Sequence, residues 1–239
     1  MRGINRLTNL EVLNISNTTI NDAEISNLYK LKSLNIEENC DIKQLNNFTN
    51  IKKLNIGSSN VKLHQIDKLD LFNIDISNNH NISDLNIFTN LTKLVAYGSY
   101  LNEDAIEKCI NLKVIKIGTH CPNCNINSVK NQTNLIELHA SEKLTQDGIL
   151  YCKQLKKLSV ECNKNIKDIN HLTNLKKLTC FRSSAIYQEG IEKCTKLKSL
   201  DHFYNENITD VRFLKKLTYL RTTLNCKFNE SIEYINVIN

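Results

Sequence analysis

The chain has no tryptophan, one methionine and one proline, and no apolar run that reaches membrane-spanning length. A helix crossing the hydrocarbon core needs about 18 or more consecutive apolar residues, so a membrane-spanning helix is excluded. The opening stretch MRGINRLTNL carries no apolar block of the kind that directs secretion, and a cytoplasmic location is expected. No phosphate-cradling G-x-x-x-x-G-K, no H-E-x-x-H and no dinucleotide-binding glycine fingerprint occurs, which removes the usual grounds for nucleotide or zinc-hydrolase chemistry. Nine cysteines, an odd and irregularly spaced set, fit free thiols in a reducing compartment better than a disulfide framework. The shortage of tryptophan, methionine and proline accompanies heavy use of asparagine, isoleucine and lysine. That bias looks like A+T-rich coding, so asparagine counts, and N-x-[ST] sequons such as Asn17-Thr18-Thr19, carry no weight by themselves.

What is present is enough to fold. Of 239 residues, 41% are hydrophobic and 23% charged, which excludes wholesale disorder. The net charge of +6 comes with 25 acidic residues, a mild lean toward acidic partners and not a nucleic-acid signature.

Aligned on itself, the chain repeats. LTNLEVLNI, from Leu7 to Ile15, returns as YKLKSLNI, TNIKKLNI, LDLFNIDI, TNLTKLVA, INLKVIKI, TNLIELHA, KQLKKLSV, TNLKKLTC, TKLKSLDH and KLTYLRT. The central apolar residues are Leu13, Leu34, Leu54, Ile74, Leu94, Ile115, Leu138, Leu158, Leu178, Leu200 and Leu220, eleven units spaced by 20 to 23 residues. In L-x-x-L-x-L the last two apolar positions alternate, as a short strand with one buried face requires. A single unit cannot cover its apolar side, so the pattern demands stacking. The period and the L-x-x-L-x-L-x-x-N signature resemble the leucine-rich repeat over essentially the whole chain. The resemblance implies an α/β solenoid, a horseshoe or arc of about eleven repeats, with an inner parallel sheet. Its outer face would alternate short helices and turns. One domain over residues 1–239 is expected, with repeats at about 7–225 and a C-terminal cap at 226–239, where SIEYINVIN would fold over the last unit. Six residues before Leu7 are too few for an N-terminal cap, so that end is expected to be minimal or covered by a partner or a second copy.

A polar column follows each strand: Thr18, Asn39, Ser59, Asn79, Ser99, His120, Lys143, Asn163, Ser183, Asn205 and Asn225. In the family a small polar side chain here bonds the backbone of the turn between neighbours, and His120 and Lys143 depart from it. Asparagine marks even units, with serine or threonine in odd ones through unit nine, so the true repeat is a pair of about 41 residues. Odd units such as NDAEISNL and YQEGIEKC read as short helices with acid in the first turn. Cys109, Cys152 and Cys194 share one helix position, where units one and three carry Leu28 and Leu69, and read as small buried apolar residues. These odd units are similar to the cysteine-containing repeats of F-box substrate receptors, which implies ubiquitin-ligase adaptor work as an alternative function. The composition is similar to that of repeat proteins of amoebae and of the large DNA viruses that infect them.

The stretch GTHCPNC holds the lone proline and a C-x-x-C pair, Cys121 and Cys124. Zinc needs about four ligands around one point, and no second pair is near: Cys40 and His80 lie at steps of two units, about 10 Å each. The stretch reads as an enlarged turn stiffened by Pro122. Glu137, His139 and Ser141 alternate on one strand and suggest a hydrolase, but neither an enclosing pocket nor an oxyanion hole accompanies them. No catalytic, cofactor or metal-binding residue is therefore assigned.

Outward strand positions are free to serve binding. The N-terminal half is small and polar, which reads as hydrated surface. The C-terminal half gathers Lys177, Phe181, Asp201, Phe203, Tyr219 and Arg221, residue types enriched in interface hot spots, and with His139 and Tyr97 these form the candidate partner-binding set. The competing reading has Phe181 and Phe203 buried beneath SIEYINVIN. Lys32, Lys52, Lys113, Lys156, Lys176 and Lys198 recur beside the strand starts and should line one edge. The expected function is a non-enzymatic scaffold that binds another protein through its concave sheet face. A host protein fits the composition; a membrane, a nucleic acid or a small molecule is not expected.

Overall fold

The computed structural model describes residues 3–118, 124–139, 142–182, 184–223 and 225–238. These fall into two compact units. The first runs to Leu112 and takes in Asn125; the second is built from Lys113 onward.

In the first unit five short strands run parallel in chain order: β1 (Val12–Asn14), β2 (Ser33–Asn35), β3 (Lys53–Asn55), β4 (Asn73–Asp75) and β5 (Lys93–Val95). Leu13, Leu34, Leu54, Ile74 and Leu94 lie opposite one another in register. The second unit continues the same plan with β6 (Val114–Lys116), β7 (Glu137–His139), β8 (Lys157–Ser159), β9 (Lys177–Thr179), β10 (Ser199–Asp201), β11 (Tyr219–Thr223) and β12 (Tyr234–Ile238). Strands β1 to β10 span three residues around a single inward position; a second inward residue follows directly, after which the chain turns away. From Leu34 to Leu220 the central residue of each repeat is buried, so burial by the neighbouring coil is the rule within each unit. Leu13, in β1, is half-buried, and Leu7 and Val12 beside it stay exposed.

The segment expected to lie over the last repeat becomes β12 instead. Tyr234 stands opposite Tyr219 and Ile235 opposite Leu220, and Ile232 is buried just before the strand. YLRTT and YINVI share one alternation, but they lie only 15 residues apart, which hides the twelfth strand from a search at a period of 20 or more.

The outer returns follow the odd–even alternation in reduced form. Unit one forms a single α-helical turn, α1 (Asp22–Ile25), with a capping box in which Asn21 Oδ1 accepts from the Ala23 amide and Glu24 accepts from the Asn21 amide. Units three, seven and nine form 3-10 turns at Leu63–Gln65, Asp147–Ile149 and Glu189–Ile191, and unit five has only hydrogen-bonded turns. A repeat of about 20 residues leaves too little chain for a stable α-helix, whose first turn is costly to nucleate.

The polar column holds the coils together. Asn39, Asn79, Asn163 and Asn205 are fully or almost fully buried. Each reaches back one repeat: Asn39 Nδ2 donates to the Ile20 carbonyl (2.9 Å), Asn79 to Val61 (3.0 Å), Asn163 to Leu144 (2.9 Å) and Asn205 to Ile186 (3.1 Å). Each Oδ1 also accepts from its own turn, at Asp41, Asn81, Asn165 and Asn207. The shorter Thr18, Ser59 and Ser99 donate only within their own coil, to Ile15, Ile56 and Ala96. Side-chain reach thus explains the alternation seen in sequence. In unit nine the ladder position belongs to Ser184, which is buried and accepts from Ile186 as Ser59 does from Val61; Ser183 and His120 lie outside the described residues. Lys143 and Asn225 are exposed and leave the ladder.

Other asparagines prove structural too. Asn14, Asn35 and Asn55 on the strands bond the amides two residues on, at Ser16, Glu37 and Gly57, so the polar N-terminal face closes its own turns in addition to being hydrated. The turns that follow place Asn17, Glu38, Ser58, Asn78 and Gly98 at positive φ in successive repeats. A Cβ on Gly98 would run into the Asn78 side chain.

The cysteine column is buried as expected and does more than fill space. Sγ of Cys109, Cys152 and Cys194 donates to the carbonyls of Leu85 (3.3 Å), Val129 (3.5 Å) and Ile169 (3.4 Å) in the preceding repeat. Burial pushes all three thiols up to about 12, so the proton needed for these bonds stays in place.

Two outcomes follow. Asn163→Ala removes partners from the Leu144 carbonyl and from the Asn165 and Ile166 amides, and should cost about 2–4 kcal/mol in urea unfolding, whereas Asn60→Ala at an exposed position should leave the midpoint unchanged. His202 follows β10 directly and is fully buried, and among the described residues neither ring nitrogen finds a hydrogen-bond partner. Burial lowers its pKa below the ordinary 6.5, so the folded state holds it neutral while the unfolded chain takes up a proton. Stability should therefore drop as pH falls below about 6.5, and His202→Leu should flatten that part of the profile.

Candidate functional site

The solvent face of the second unit's sheet is set by register. One row reads Val114, Glu137, Lys157, Lys177, Ser199, Tyr219, Tyr234, and the next Lys116, His139, Ser159, Thr179, Asp201, Arg221, Asn236. Strand pairing at about 4.8 Å makes neighbours of residues about 20 apart in sequence.

At one end Glu137 sits among cations. Its side chain is 14% exposed, with Lys116 Nζ at 2.9 Å, Lys157 Nζ at 3.1 Å and His139 Nε2 at 3.4 Å. Burial raises the carboxyl's pKa, but hydrogen bonds from Lys116 and Lys157 outweigh it and hold the group at about 2. Burial, helped by the Lys116 charge, lowers His139 below its ordinary value despite Glu137. A carboxylate so engaged is a weak base toward its histidine, and the arrangement is that of an ion-pair cluster. Ser141, the third member of the suspected hydrolase set, lies outside the described residues, as do Cys121 and Pro122 of the cysteine turn. Cys124 is buried. Among the described residues, no three His, Cys, Asp or Glu side chains converge as a metal would need.

At the other end the structure brings together most of the candidate set. The Arg221 guanidinium lies 4.8 Å from the Phe203 ring and 6.0 Å from Phe181, with Nη1 3.3 Å from Asp201 Oδ2. Arg182 covers Phe181 at 5.3 Å. Tyr219 stacks on Tyr234, centroids 5.0 Å apart and planes 6° apart. Phe203 is only 8% exposed; its ring packs against Tyr204 at 3.9 Å and the Arg221 guanidinium, so its cover comes from these residues, while the C-terminal strand joins the sheet beside β11. Phe181 is half-buried and Lys177 exposed. Tyr234, at 52% exposure, joins the patch from a segment whose sequence reads as a cap, and Arg182 and Tyr204 join it from the turns after their strands, outside the alternating positions. Tyr97 is exposed in the first unit.

Stacked parallel strands, buried leucines on one side and an asparagine ladder in the turns define the leucine-rich-repeat fold. No protein-family model and no curated protein sequence matches the chain. Solved structures do. An internalin, InlF, from Listeria monocytogenes superposes with a TM-score of 0.68 at 25% identity, covering 99% of this chain and 83% of the other. TLR13, solved in complex with an RNA named ssRNA13, matches with a TM-score of 0.67 at 18% identity over 98% of this chain and 40% of that one. The plant peptide hormone receptor RGFR1, in complex with RGF2, gives 0.63 at 18% identity over 97% and 45%.

The Glu137 cluster has a pH signature. Because its folded pKa lies near 2, below the ordinary 4.5, Glu137 stabilises the fold above pH 4.5 and that stability is lost as pH falls toward 2. Thermal melts of Glu137→Gln should be less stable than wild type at neutral pH, and the difference should shrink steadily between pH 4.5 and 2.

Proposed function

We propose that this chain is a non-catalytic scaffold for a protein partner, working in the cytoplasm and gripping its partner on the solvent face of the second unit's sheet. Arg221 carries the reading. It is held by Asp201 and by two aromatic rings at once, and its side chain is still 30% exposed. An arginine held in this way loses little freedom on binding, and arginine and tyrosine are the side chains that dominate interface energies. Phe181, Lys177 and the Tyr219–Tyr234 stack complete the patch, His139 lies toward its far side, and Tyr97 offers a separate contact in the first unit. The eight described cysteines are all free, which agrees with a reducing compartment. Neighbours of this fold solved with a peptide hormone or an RNA support binding as the general use of the architecture.

Phe203 is too buried to test by truncation, since deleting a buried phenylalanine costs about 3–5 kcal/mol. The informative variant is Phe181→Ala, Tyr219→Ala, Arg221→Ala. With folding checked by circular dichroism, affinity capture by wild type should yield proteins that this variant fails to retain. Identical captures from both would sink the patch.

A further inference from the structure

Within each unit the residue two before a central strand position forms a backbone rung, its carbonyl accepting amides of the next repeat. In the first unit these rungs include Lys32 and Lys52, and both are neutralised: Lys32 pairs with Glu11 at 2.7 Å, and Lys52 pairs with Asp70 and lies 5.3 Å from the Phe72 ring. In the second unit the rungs from β8 to β10 are Lys156, Lys176 and Lys198. They are joined directly: the Lys176 amide donates to the Lys156 carbonyl and the Lys198 amide to that of Lys176, both at 2.9 Å. All three are exposed, and among the described residues no acidic side chain pairs with any of them. Lys157 and Lys177 stand next in sequence on β8 and β9; Glu137 engages Lys157, and among the described residues no acid pairs with Lys177.

The three lysines leave backbones about 4.8 Å apart, within the screening length of about 8 Å at physiological salt, so their like charges repel and an outside anion relieves that repulsion. The same fold neutralises the same position elsewhere, so geometry does not require the imbalance. The basic run is also bounded: the rung before it is Ile136, and those after it are Thr218 and Glu233. Two strand spacings make it about 10 Å long, the reach of three or four extended residues at about 3.4 Å each. A longer polyanion would meet an apolar residue at one end and a carboxylate at the other.

We infer that Lys156, Lys176 and Lys198 form a docking edge for a short acidic segment of the protein partner, a run of three or four aspartates or glutamates. The inference rests on the protein-binding reading of the adjoining sheet face. The edge supplies charge recognition and encounter rate, and the Arg221 patch supplies the buried contacts.

The test is fluorescence anisotropy with a labelled peptide of about four consecutive glutamates in neutral flanks, matching the length of the ladder. Wild type should bind it, more weakly as salt rises, and should ignore the glutamine version. Lys156→Gln, Lys176→Gln, Lys198→Gln should weaken binding about tenfold or more, and the corresponding arginine triple should restore it. Phe181→Ala with Tyr219→Ala leaves the charge intact and should bind the probe as wild type does, so failure of the aromatic patch and failure of the lysine edge are read separately. Undiminished binding by the glutamine triple, equal binding of the uncharged peptide, or loss of probe binding in the aromatic variant would each overturn the inference. So would an oligouridylate that binds more tightly than the glutamate peptide and is lost in the same lysine variant, which would assign the edge to nucleic acid.

Discussion

The structure depends on sealing one coil to the next without leaving buried backbone groups unpaired. Leucine and isoleucine supply the free energy of stacking, but apolar contact is indifferent to small slips of one coil past another. Asn39, Asn79, Asn163 and Asn205 are not indifferent: each donates to a carbonyl of the preceding repeat while accepting from its own turn. An unpaired group at any of these places would cost as much as several methylene contacts contribute. The thiols of Cys109, Cys152 and Cys194 close further carbonyls on the outer side in the same way. Backbone accounting therefore runs down both flanks of the core, and the sheet follows from it.

That rigidity is what makes the sheet face useful. Side chains on adjacent rungs are held at strand spacing without further cost, so Glu137 can gather Lys116, Lys157 and His139, and Arg221 can lie over two rings while pairing with Asp201. The two ends of this face differ in chemistry. The Glu137 end is tied up in its own ion pairs. The Arg221 end joins an exposed tyrosine stack, and the lysine edge beside it leaves charge unbalanced. Recognition in such a protein is a property of residues about 20 apart in sequence that become neighbours only through register.

Much of this was legible in the residue pattern. The central apolar position of every repeat in the described strands, the polar column and the buried cysteines all follow from periodicity, because each repeat faces the same two neighbours and solves the same problem. The pattern breaks where a repeat changes length or a local contact decides. Ser184 takes the ladder position from Ser183 in a unit two residues longer than most. The last strand, β12, comes 15 residues after its neighbour and escapes the period. The strand asparagines looked like coding bias plus hydration, yet Asn14, Asn35 and Asn55 each close a turn. Helices expected in the odd units contract to single turns because so few residues remain after the strand and ladder are satisfied.

By itself the sequence determined that coils stack in parallel, which residues face inward, and that asparagine and serine alternate in the turns, since these depend only on what recurs. Tertiary structure alone decided which cations are neutralised and which are not, that Phe203 is buried while Tyr234 stays open, and that Arg221 is braced by Asp201 and two rings. The physical reason is that burial is dictated by position in the repeat, whereas charge pairing and ring stacking depend on which particular side chains meet across neighbouring rungs.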